Sequence, residues 1–216
     1  MRAPQGATHV RVARPGPGAG SLTQQERGQV RSLAHVGRAG EFQGARSWVR
    51  SVLAGYLDMD PLALRLAAGR WGKPYVVGHE LHFNLAHTRG LCVLAVSDRP
   101  VGIDVECATR DLRTAVGRCA TPRERRRLTT RPIADVVTMW TVKEAYAKAL
   151  GLGHRLTFSH LETDEPPAAG PWIVRDDGEL PVDVRHDVPG HVLAVARASG
   201  SPITAVEIAA TWVVAS

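Results

Sequence analysis

Apolar residues recur every three to four positions at two places in the chain, and this spacing predicts two amphipathic helices. The first spans Glu41–Leu57, and its apolar positions are Phe42, Ala45, Trp48, Val49, Val52, Leu53 and Tyr56. The second spans Trp140–Gly153, and its apolar positions are Val142, Ala145, Tyr146, Ala149 and Leu150. Gly151 and Gly153 are expected to end the second helix, because glycine adopts the conformation of a helix C-cap without strain. Each helix is expected to bury one face in a core.

Short segments that are rich in apolar residues and bounded by Gly, Pro, Asp or Asn predict strands elsewhere. The predicted strands are Thr8–Ala13, Leu62–Leu66, Pro74–Val77, Leu81–Leu85, Leu91–Val96, Val101–Val105, Thr157–Thr163, Pro171–Val174, Leu180–Arg185, His191–Ala196 and Ile203–Ala209. A helix capped by Ser21 or Thr23 is predicted to run to about Gly37, and two short helices are predicted within Thr109–Leu128. A strand, then helices, then several strands occur twice along the chain.

Composition narrows the class of protein. The 216 residues are 44% hydrophobic and 22% charged, which is typical of a globular chain with one domain or two small halves. No apolar run is long enough to span a bilayer, and the N-terminus lacks a hydrophobic signal segment. Cys92, Cys107 and Cys119 are odd in number and lack metal-site spacing, so reduced thiols in a cytoplasmic protein are expected. The net charge of +6 favours an acidic partner, which can be nucleic acid, a phosphate-rich cofactor or an acidic protein.

Lysine is rare in this chain. Of the 27 basic residues only three are lysines, which leaves 24 arginines. A lysine in such a chain marks a position where a compact point charge serves better than a guanidinium, for instance in phosphate contact or proton transfer. Lys143 and Lys148 lie on the Trp140–Gly153 helix, and Lys73 lies between Gly72 and Pro74.

Carboxylates form a second pattern. Apolar and acidic residues alternate in Val101–Glu106, so Asp104 and Glu106 share one face of the predicted strand. With Glu144 from the Trp140–Gly153 helix, they form an oxygen donor set that suits Mg²⁺, an ion that completes its shell with water and phosphates. The alternative is a solvated strand face beside a helix that carries an ordinary Glu144–Lys148 surface pair.

Four motifs, in this order and at these separations, resemble the 4′-phosphopantetheinyl transferases. The similarity is to the monomeric kind that activates polyketide and non-ribosomal peptide synthases. The motifs are GRWGKPYV at Gly69–Val76, FNLAHT at Phe83–Thr88, VGIDVE at Val101–Glu106 and WTVKEAYAKALGLG at Trp140–Gly153. The helix EFQGARSWVRSVLAGYL at Glu41–Leu57 is also similar to the family. The resemblance implies two similar α+β halves related by a pseudo-twofold axis, here residues 1–100 and 101–216.

The resemblance also implies a reaction. The phosphopantetheine arm of coenzyme A passes to a serine of an apo acyl or peptidyl carrier protein, and 3′,5′-ADP is released. By this resemblance Asp104, Glu106 and Glu144 bind Mg²⁺, with Mn²⁺ as a possible substitute. Glu144 and Lys148 are the implied catalytic residues. The residues implied to bind coenzyme A are Arg38, Arg46, Lys73, His87, Thr88, Lys143 and Lys148.

Several of these residues have a second interpretation. His87 can be a structural histidine, and Arg38, Arg46 and Arg50 can lie on a solvated helix face. Glu124 fits the capping box of a helix that starts after Thr121, and the resemblance also places it near the active site. The arginine run of the same segment is either a solvated helix face or a landing patch for an acidic carrier, and it comprises Arg123, Arg125, Arg126, Arg127 and Arg131. Glu41 replaces an arginine that is common in the family.

Localisation and partners follow from the same considerations. We expect a cytoplasmic monomer that binds coenzyme A and an acidic carrier protein, and that binds neither nucleic acid nor membranes. Two other classes of protein remain open. One is a catalytically silent module that binds coenzyme A or a carrier protein. The other is a small basic nucleic-acid-binding protein, which would leave the rare lysines and the paired carboxylates without a role.

Overall fold

The computed structural model describes residues 4–14, 16, 20–33, 36–152, 155–166, 170–175, 179–197 and 202–208. Helices and antiparallel strands alternate in these ranges, so the α+β prediction is confirmed. The helices are α1 (Gln24–Ser32), α2 (Val36–Leu57), α3 (Arg113–Cys119), α4 (Pro122–Leu128) and α5 (Ile133–Leu150). The strands are β1 (Thr8–Ala13), β2 (Leu66–Ala68), β3 (Pro74–Val76), β4 (His82–Thr88), β5 (Leu91–Ser97), β6 (Val101–Cys107), β7 (Glu162–Asp164), β8 (Trp172–Arg175), β9 (Glu179–Arg185), β10 (His191–Arg197) and β11 (Ile203–Ile208).

The strands form two larger sheets and a hairpin. The first sheet has the strand order β11-β1-β5-β4, and the second has the order β6-β10-β9-β8-β7. β2 and β3 form a separate two-stranded hairpin. All neighbouring strands are antiparallel except β1 and β11, which are parallel.

The two sheets repeat one connection. In each sheet, the first strand is followed by helices and then pairs with the second strand of a later hairpin. β1 pairs with β5 of the β4–β5 hairpin, and β6 pairs with β10 of the β9–β10 hairpin. The division of the chain into 1–100 and 101–216 stays a prediction. β11 pairs with β1, so a strand from the C-terminal end is part of the first sheet.

Both sheets contribute to a shared core. One cluster of buried side chains contains residues of β1, β4 and β5 together with residues of β6 and β10, among them Val10, Val93, Ile103 and Leu193. A polar contact also joins the sheets, since the backbone N–H of Ile103 donates to Oδ1 of Asn84 at 2.8 Å. β4 and β6 are therefore neighbours, and residues at their ends come close together.

Helix α5 packs against β6 at very short range. Gly102 makes this possible, because a Cβ at that position would overlap the carbonyl oxygen of Ala145 and the backbone nitrogen of Ala149. α5 begins at Ile133, earlier than predicted, and ends before Gly151, whose φ of 69° forms the predicted C-cap. The predicted apolar stripe is buried except at Leu150, which is 43% exposed.

Some predicted boundaries are wrong. The strand predicted at Leu62–Leu66 begins only at Leu66, because an Asx turn precedes it: Oδ1 of Asp60 accepts from the backbone N–H of Leu62 at 2.6 Å. The helix predicted to run to Gly37 ends at Ser32, and α2 starts at Val36.

A third boundary differs near the second sheet. Residues Phe158–His160 form a 3₁₀ turn, and of the predicted strand Thr157–Thr163 only Glu162 and Thr163 pair, as part of β7. Within the described ranges, no helix is long and apolar enough to cross a membrane.

Candidate functional site

Two carboxylates on β6 face helix α5. Strand alternation puts Asp104 and Glu106 on the same face as Gly102, the residue that contacts α5. Asp104 is 6% exposed and Glu106 is 7% exposed, so the alternative of a solvated strand face is wrong. Buried carboxylates require compensating cations or hydrogen bonds, and the surrounding residues supply part of them.

Asp104 is only partly satisfied. Its Oδ1 accepts from Nζ of Lys148 at 2.6 Å, while Oδ2 is buried and has no hydrogen-bond partner in the described part of the chain. Burial, with a smaller contribution from the negative charges of Glu144 and Glu106, raises the pKa of Asp104 to about 7 despite the Lys148 ammonium. These charges therefore lie close enough to Asp104 to interact with it.

Glu106 is held by an arginine that the sequence analysis did not identify. Nη1 of Arg110 donates to Oε1 of Glu106 at 2.6 Å and to Oε2 at 2.7 Å. Thr88, at the end of β4, has its hydroxyl 3.5 Å from Oε2 of the same carboxylate. Arg110 follows Glu106 by four residues across a turn. No regular periodicity links the two positions, so only the arginine's sequence proximity to the acidic strand could have suggested the pair.

Helix α5 adds the third carboxylate and a lysine. Glu144 is half-buried, and Lys148, one turn later, extends across to Asp104 instead of forming only a surface pair within its helix. The side chain of Lys148 is 30% exposed. Its amine is thus near the carboxylates and reachable from solvent.

The three carboxylates fit a hard divalent cation in chemistry. Asp104, Glu106 and Glu144 supply only oxygen donors, and the buried Oδ2 of Asp104 is an acceptor that still needs a partner. As the side chains are arranged here, no three His, Cys, Asp or Glu side chains of the described residues form a group that could hold a metal.

A cavity of about 610 Å³ lies between α2 and the β4–β5 hairpin. Arg46, His87 and Glu41 line it, so the structure brings together two of the residues predicted to bind coenzyme A. His87 is exposed on β4, and the Arg46 guanidinium lies 5.3 Å from the ring centroid of Phe42. Glu41 places a negative charge beside these two basic groups.

A second, more polar groove of about 1030 Å³ adjoins this cavity. The two share Arg46 and Pro74, and the groove continues between α1, α2 and the β2–β3 hairpin past Arg31 and Arg65. Arg38 lies on the first turn of α2, and its side chain is outside the part of the chain that the structure describes.

Three residues predicted to contact coenzyme A have other partners. The Thr88 side chain is buried on the opposite face of β4 from His87 and points toward Glu106, so a direct phosphate contact by its hydroxyl is not supported. The reason is strand alternation, which sends adjacent side chains to opposite faces.

Lys73 holds backbone together. Its Nζ donates to the carbonyl oxygens of Val101 and Ala149, both at 2.9 Å, and burial lowers the pKa of the amine to about 8. These contacts fasten the loop between β2 and β3 to the start of β6 and the end of α5. These contacts give Lys73 a structural role, and its contact with a phosphate stays a prediction.

Lys143 is fully buried, which contradicts its predicted role as a phosphate contact. Its Nζ donates to Oε2 of Glu124 at 2.6 Å and to the carbonyl oxygens of Cys119 at 3.2 Å and Phe158 at 2.9 Å. Its side chain is 0% exposed, so no bound ligand could reach the amine without opening the core.

The predicted capping box at Glu124 is confirmed. The backbone N–H of Thr121 donates to Oε2 of Glu124 at 2.8 Å, and the backbone N–H of Glu124 donates to Oγ1 of Thr121 at 3.2 Å. The same carboxylate also accepts from Thr163 on β7. Arg50 is likewise structural, because its Nε donates to Oε2 of the buried Glu26 at 2.7 Å.

The arginines between Arg123 and Arg131 fall into two groups, those that contact acidic or aromatic side chains and those that do not. Arg123 pairs with Asp164, and Arg131 pairs with Asp135 and Glu165. Arg127 stacks over the Trp172 ring. Arg125 and Arg126 are exposed, and neither pairs with a carboxylate of the described residues. The interpretation of the whole run as a free basic patch is therefore too broad.

Comparisons with known proteins find similarity to one superfamily. A sequence model of the 4′-phosphopantetheinyl transferase superfamily matches residues 100–196, the segment that carries all three carboxylates and Lys148. The chain is 36% identical over 124 residues to the 4′-phosphopantetheinyl transferase HetI of Nostoc sp., covering 52% of each chain. It is 25% identical over 142 residues to a 4′-phosphopantetheinyl transferase of Bacillus subtilis, covering 63% of this chain and 59% of that one.

A solved structure extends the comparison. The holo-[acyl-carrier-protein] synthase of Thermotoga maritima superposes with a TM-score of 0.38 and 27% identity, over 45% of this chain and 61% of that one. The chain spans a little more than half the length of the curated relatives it matches. Residues 100–196 thus match the 4′-phosphopantetheinyl transferase superfamily, and the chain is similar to these transferases over about half of its length.

Proposed function

We propose that this protein transfers the 4′-phosphopantetheine arm of coenzyme A to a serine of an apo acyl or peptidyl carrier protein. The match of residues 100–196 to the 4′-phosphopantetheinyl transferase superfamily supports the proposal. The observation that carries it is the meeting of β6 and α5, where Lys148 binds Asp104 beside Glu106 and Glu144. Buried carboxylates next to a solvent-accessible ammonium suit the binding of a pyrophosphate together with Mg²⁺.

Asp104, Glu106 and Glu144 are the residues that would hold Mg²⁺, or Mn²⁺ in its place. The ion supplies charge neutralisation to the pyrophosphate of coenzyme A. The chemistry of the donor set and the unpartnered Oδ2 of Asp104 support this assignment.

The reaction balances without a further reactant. The serine Oγ forms a bond to the β-phosphorus of coenzyme A, the bond from that phosphorus to the bridging oxygen breaks, and 3′,5′-ADP leaves with the electron pair. Glu144 accepts the serine proton. Its carboxylate is half-buried and lies one helical turn before Lys148 on α5. The Lys148 ammonium stabilises negative charge on the transferred or departing phosphate.

Arg46 and His87 are proposed to bind phosphates of coenzyme A from the 610 Å³ cavity. They are the two predicted ligands that line a cavity large enough for part of a nucleotide. Arg38, on the same helix, is proposed to assist them. Arg125 and Arg126 are proposed as the part of the α4 arginine run that attracts an acidic carrier protein.

A silent module that binds coenzyme A or a carrier without chemistry is the second candidate. It predicts binding of coenzyme A but no Mg²⁺-dependent release of 3′,5′-ADP in the presence of an apo carrier protein. Chromatographic measurement of 3′,5′-ADP, with calorimetric titration of coenzyme A alongside it, separates the two functions. Release that requires both the carrier and Mg²⁺ supports the enzyme, whereas binding without release supports the silent module.

A further inference from the structure

Lys143 and Glu124 form an ion pair in the interior of the second half of the chain. The side chains of both residues are 0% exposed, and Nζ of Lys143 lies 2.6 Å from Oε2 of Glu124. A buried ion pair of this kind contributes little net stability on its own, because the desolvation of two charges offsets their attraction. Its presence in a core therefore calls for an explanation beyond stability.

The pair is completely hydrogen-bonded. Lys143 uses all three of its N–H groups, on Glu124 and on the carbonyl oxygens of Cys119 and Phe158. Glu124 accepts two hydrogen bonds on each oxygen, from Thr121 and Lys143 on Oε2 and from the backbone and hydroxyl of Thr163 on Oε1. A fully satisfied network has one low-energy geometry, so it fixes the groups that it joins.

The network joins the segments that surround α5. Cys119 ends α3, Glu124 lies in the first turn of α4, Phe158 begins the 3₁₀ turn, and Thr163 lies on β7. Lys143 connects all of them to α5 at the residue that immediately precedes Glu144. The rotation of α5 about its own axis is thereby set one residue before the catalytic carboxylate and five before Lys148.

We propose that Lys143 and Glu124 are positioning residues that hold α5 in the orientation in which Glu144 and Lys148 face β6. The inference rests on the proposed function for the roles of Glu144 and Lys148, and it assigns neither Lys143 nor Glu124 a contact with coenzyme A. Two lysines of one motif thus have different tasks. Lys148 is reachable and acts on the substrate, and Lys143 is enclosed and acts through the helix.

The test compares Lys143→Met, Glu124→Gln and the double variant with the wild-type protein. Methionine keeps the length of the side chain but removes the charge. We expect each single variant to lower kcat about 10- to 100-fold, as for other residues that orient a reacting group, while KM and Kd for coenzyme A change less than about 3-fold. The double variant is expected to be no worse than the poorer single one, because the pair acts as a unit.

Two controls separate positioning from other roles. Arg46→Ala should raise KM with kcat nearly unchanged, which is the pattern that a phosphate ligand gives. Val49→Ala, in the core of the other half, should lower Tm. At temperatures below the unfolding transition, this variant should keep a normal kcat. If Lys143→Met raises KM for coenzyme A tenfold or more with normal kcat, Lys143 is a phosphate ligand and the inference is wrong. If kcat stays normal in both single variants, it is wrong as well.

Amide hydrogen exchange tests the inference even if no carrier protein is ever modified. Under conditions in which the α5 amides exchange by local opening, exchange between Thr141 and Ala149 should become at least about 10-fold faster in Lys143→Met than in the wild type, and should not change in Val49→Ala. Unchanged α5 exchange in Lys143→Met would overturn the inference. Failure of the wild type to release 3′,5′-ADP would count against the proposed function alone.

Discussion

Nζ of Lys148 lies 2.6 Å from Oδ1 of Asp104, so one hydrogen bond joins helix α5 to strand β6 across 44 residues of sequence. The hydrogen bond holds Lys148 and Asp104 together where α5 packs against β6. The carboxylate is buried and one of its oxygens lacks a partner, while the ammonium remains reachable from solvent. The first prediction concerns this carboxylate.

Asp104→Ala should abolish Mg²⁺-dependent release of 3′,5′-ADP, because it removes a proposed metal ligand and the partner of Lys148. We expect kcat to fall at least about 1000-fold, the range found when a group that stabilises developing charge is removed. Steady-state kinetics over a series of Mg²⁺ concentrations would measure this. Near-normal activity at limiting Mg²⁺ would show that Asp104 is not a metal ligand.

Gly102→Ala should destabilise the protein and lower activity together. The added methyl group would overlap the backbone of Ala145 and Ala149, so α5 would have to move away from β6. We expect a loss of about 1–3 kcal/mol in the free energy of unfolding, as for other overpacked sites. Urea denaturation would measure it.

Gly117→Ala is the matched control for that substitution. A Cβ at Gly117, within α3, meets nothing within 4 Å, so alanine there should be neutral or slightly stabilising. Equal destabilisation by both substitutions would contradict the close approach of α5 to β6.

Glu41→Gln should lower KM for coenzyme A, and Glu41→Arg should lower it further. Glu41 lines the same cavity as Arg46 and His87, where its negative charge repels a phosphate. Removing one surface charge is expected to change KM about 2- to 5-fold at low ionic strength, and less as salt rises. Kinetics at two salt concentrations would test this, and an unchanged or higher KM in Glu41→Arg would place the phosphates elsewhere.

The contribution of Lys73 to the free energy of unfolding should rise between about pH 8 and pH 10.5. Burial lowers the pKa of this lysine to about 8 from an ordinary value of 10.5. The folded protein then releases the proton at a lower pH than the unfolded chain, which binds more protons within this window, so stability increases with pH there. Urea titrations of the wild type and Lys73→Met over this range should show a rise that the variant lacks. Parallel curves would contradict a lowered pKa.

The local parts of the fold and site could be predicted from the sequence. Period-two alternation correctly put Asp104 and Glu106 on one face, and helical spacing correctly put Glu144 and Lys148 one turn apart. A capping box was readable at Thr121 because it is confined to four residues. In each case the information lies within one element, where geometry follows directly from the spacing of residues.

Contacts between distant elements could not be predicted in this way. Nothing local indicates that Lys143 is enclosed by Glu124, or that Lys73 ends on the carbonyl oxygens of Val101 and Ala149. The motif resemblance implied phosphate contacts for all three lysines, and their partners in the structure distinguish them. The pairing of β11 with β1 is likewise set by which sheet edge is available after folding.

The most direct test of the proposed function is intact-mass spectrometry of an apo carrier protein incubated with this protein, coenzyme A and Mg²⁺. We predict that the carrier gains the mass of one phosphopantetheinyl arm. The gain should disappear when EDTA is added or when Asp104→Ala replaces the wild type. No gain on any of several acyl and peptidyl carriers, with coenzyme A shown to bind, would contradict the transferase and leave the silent binding module.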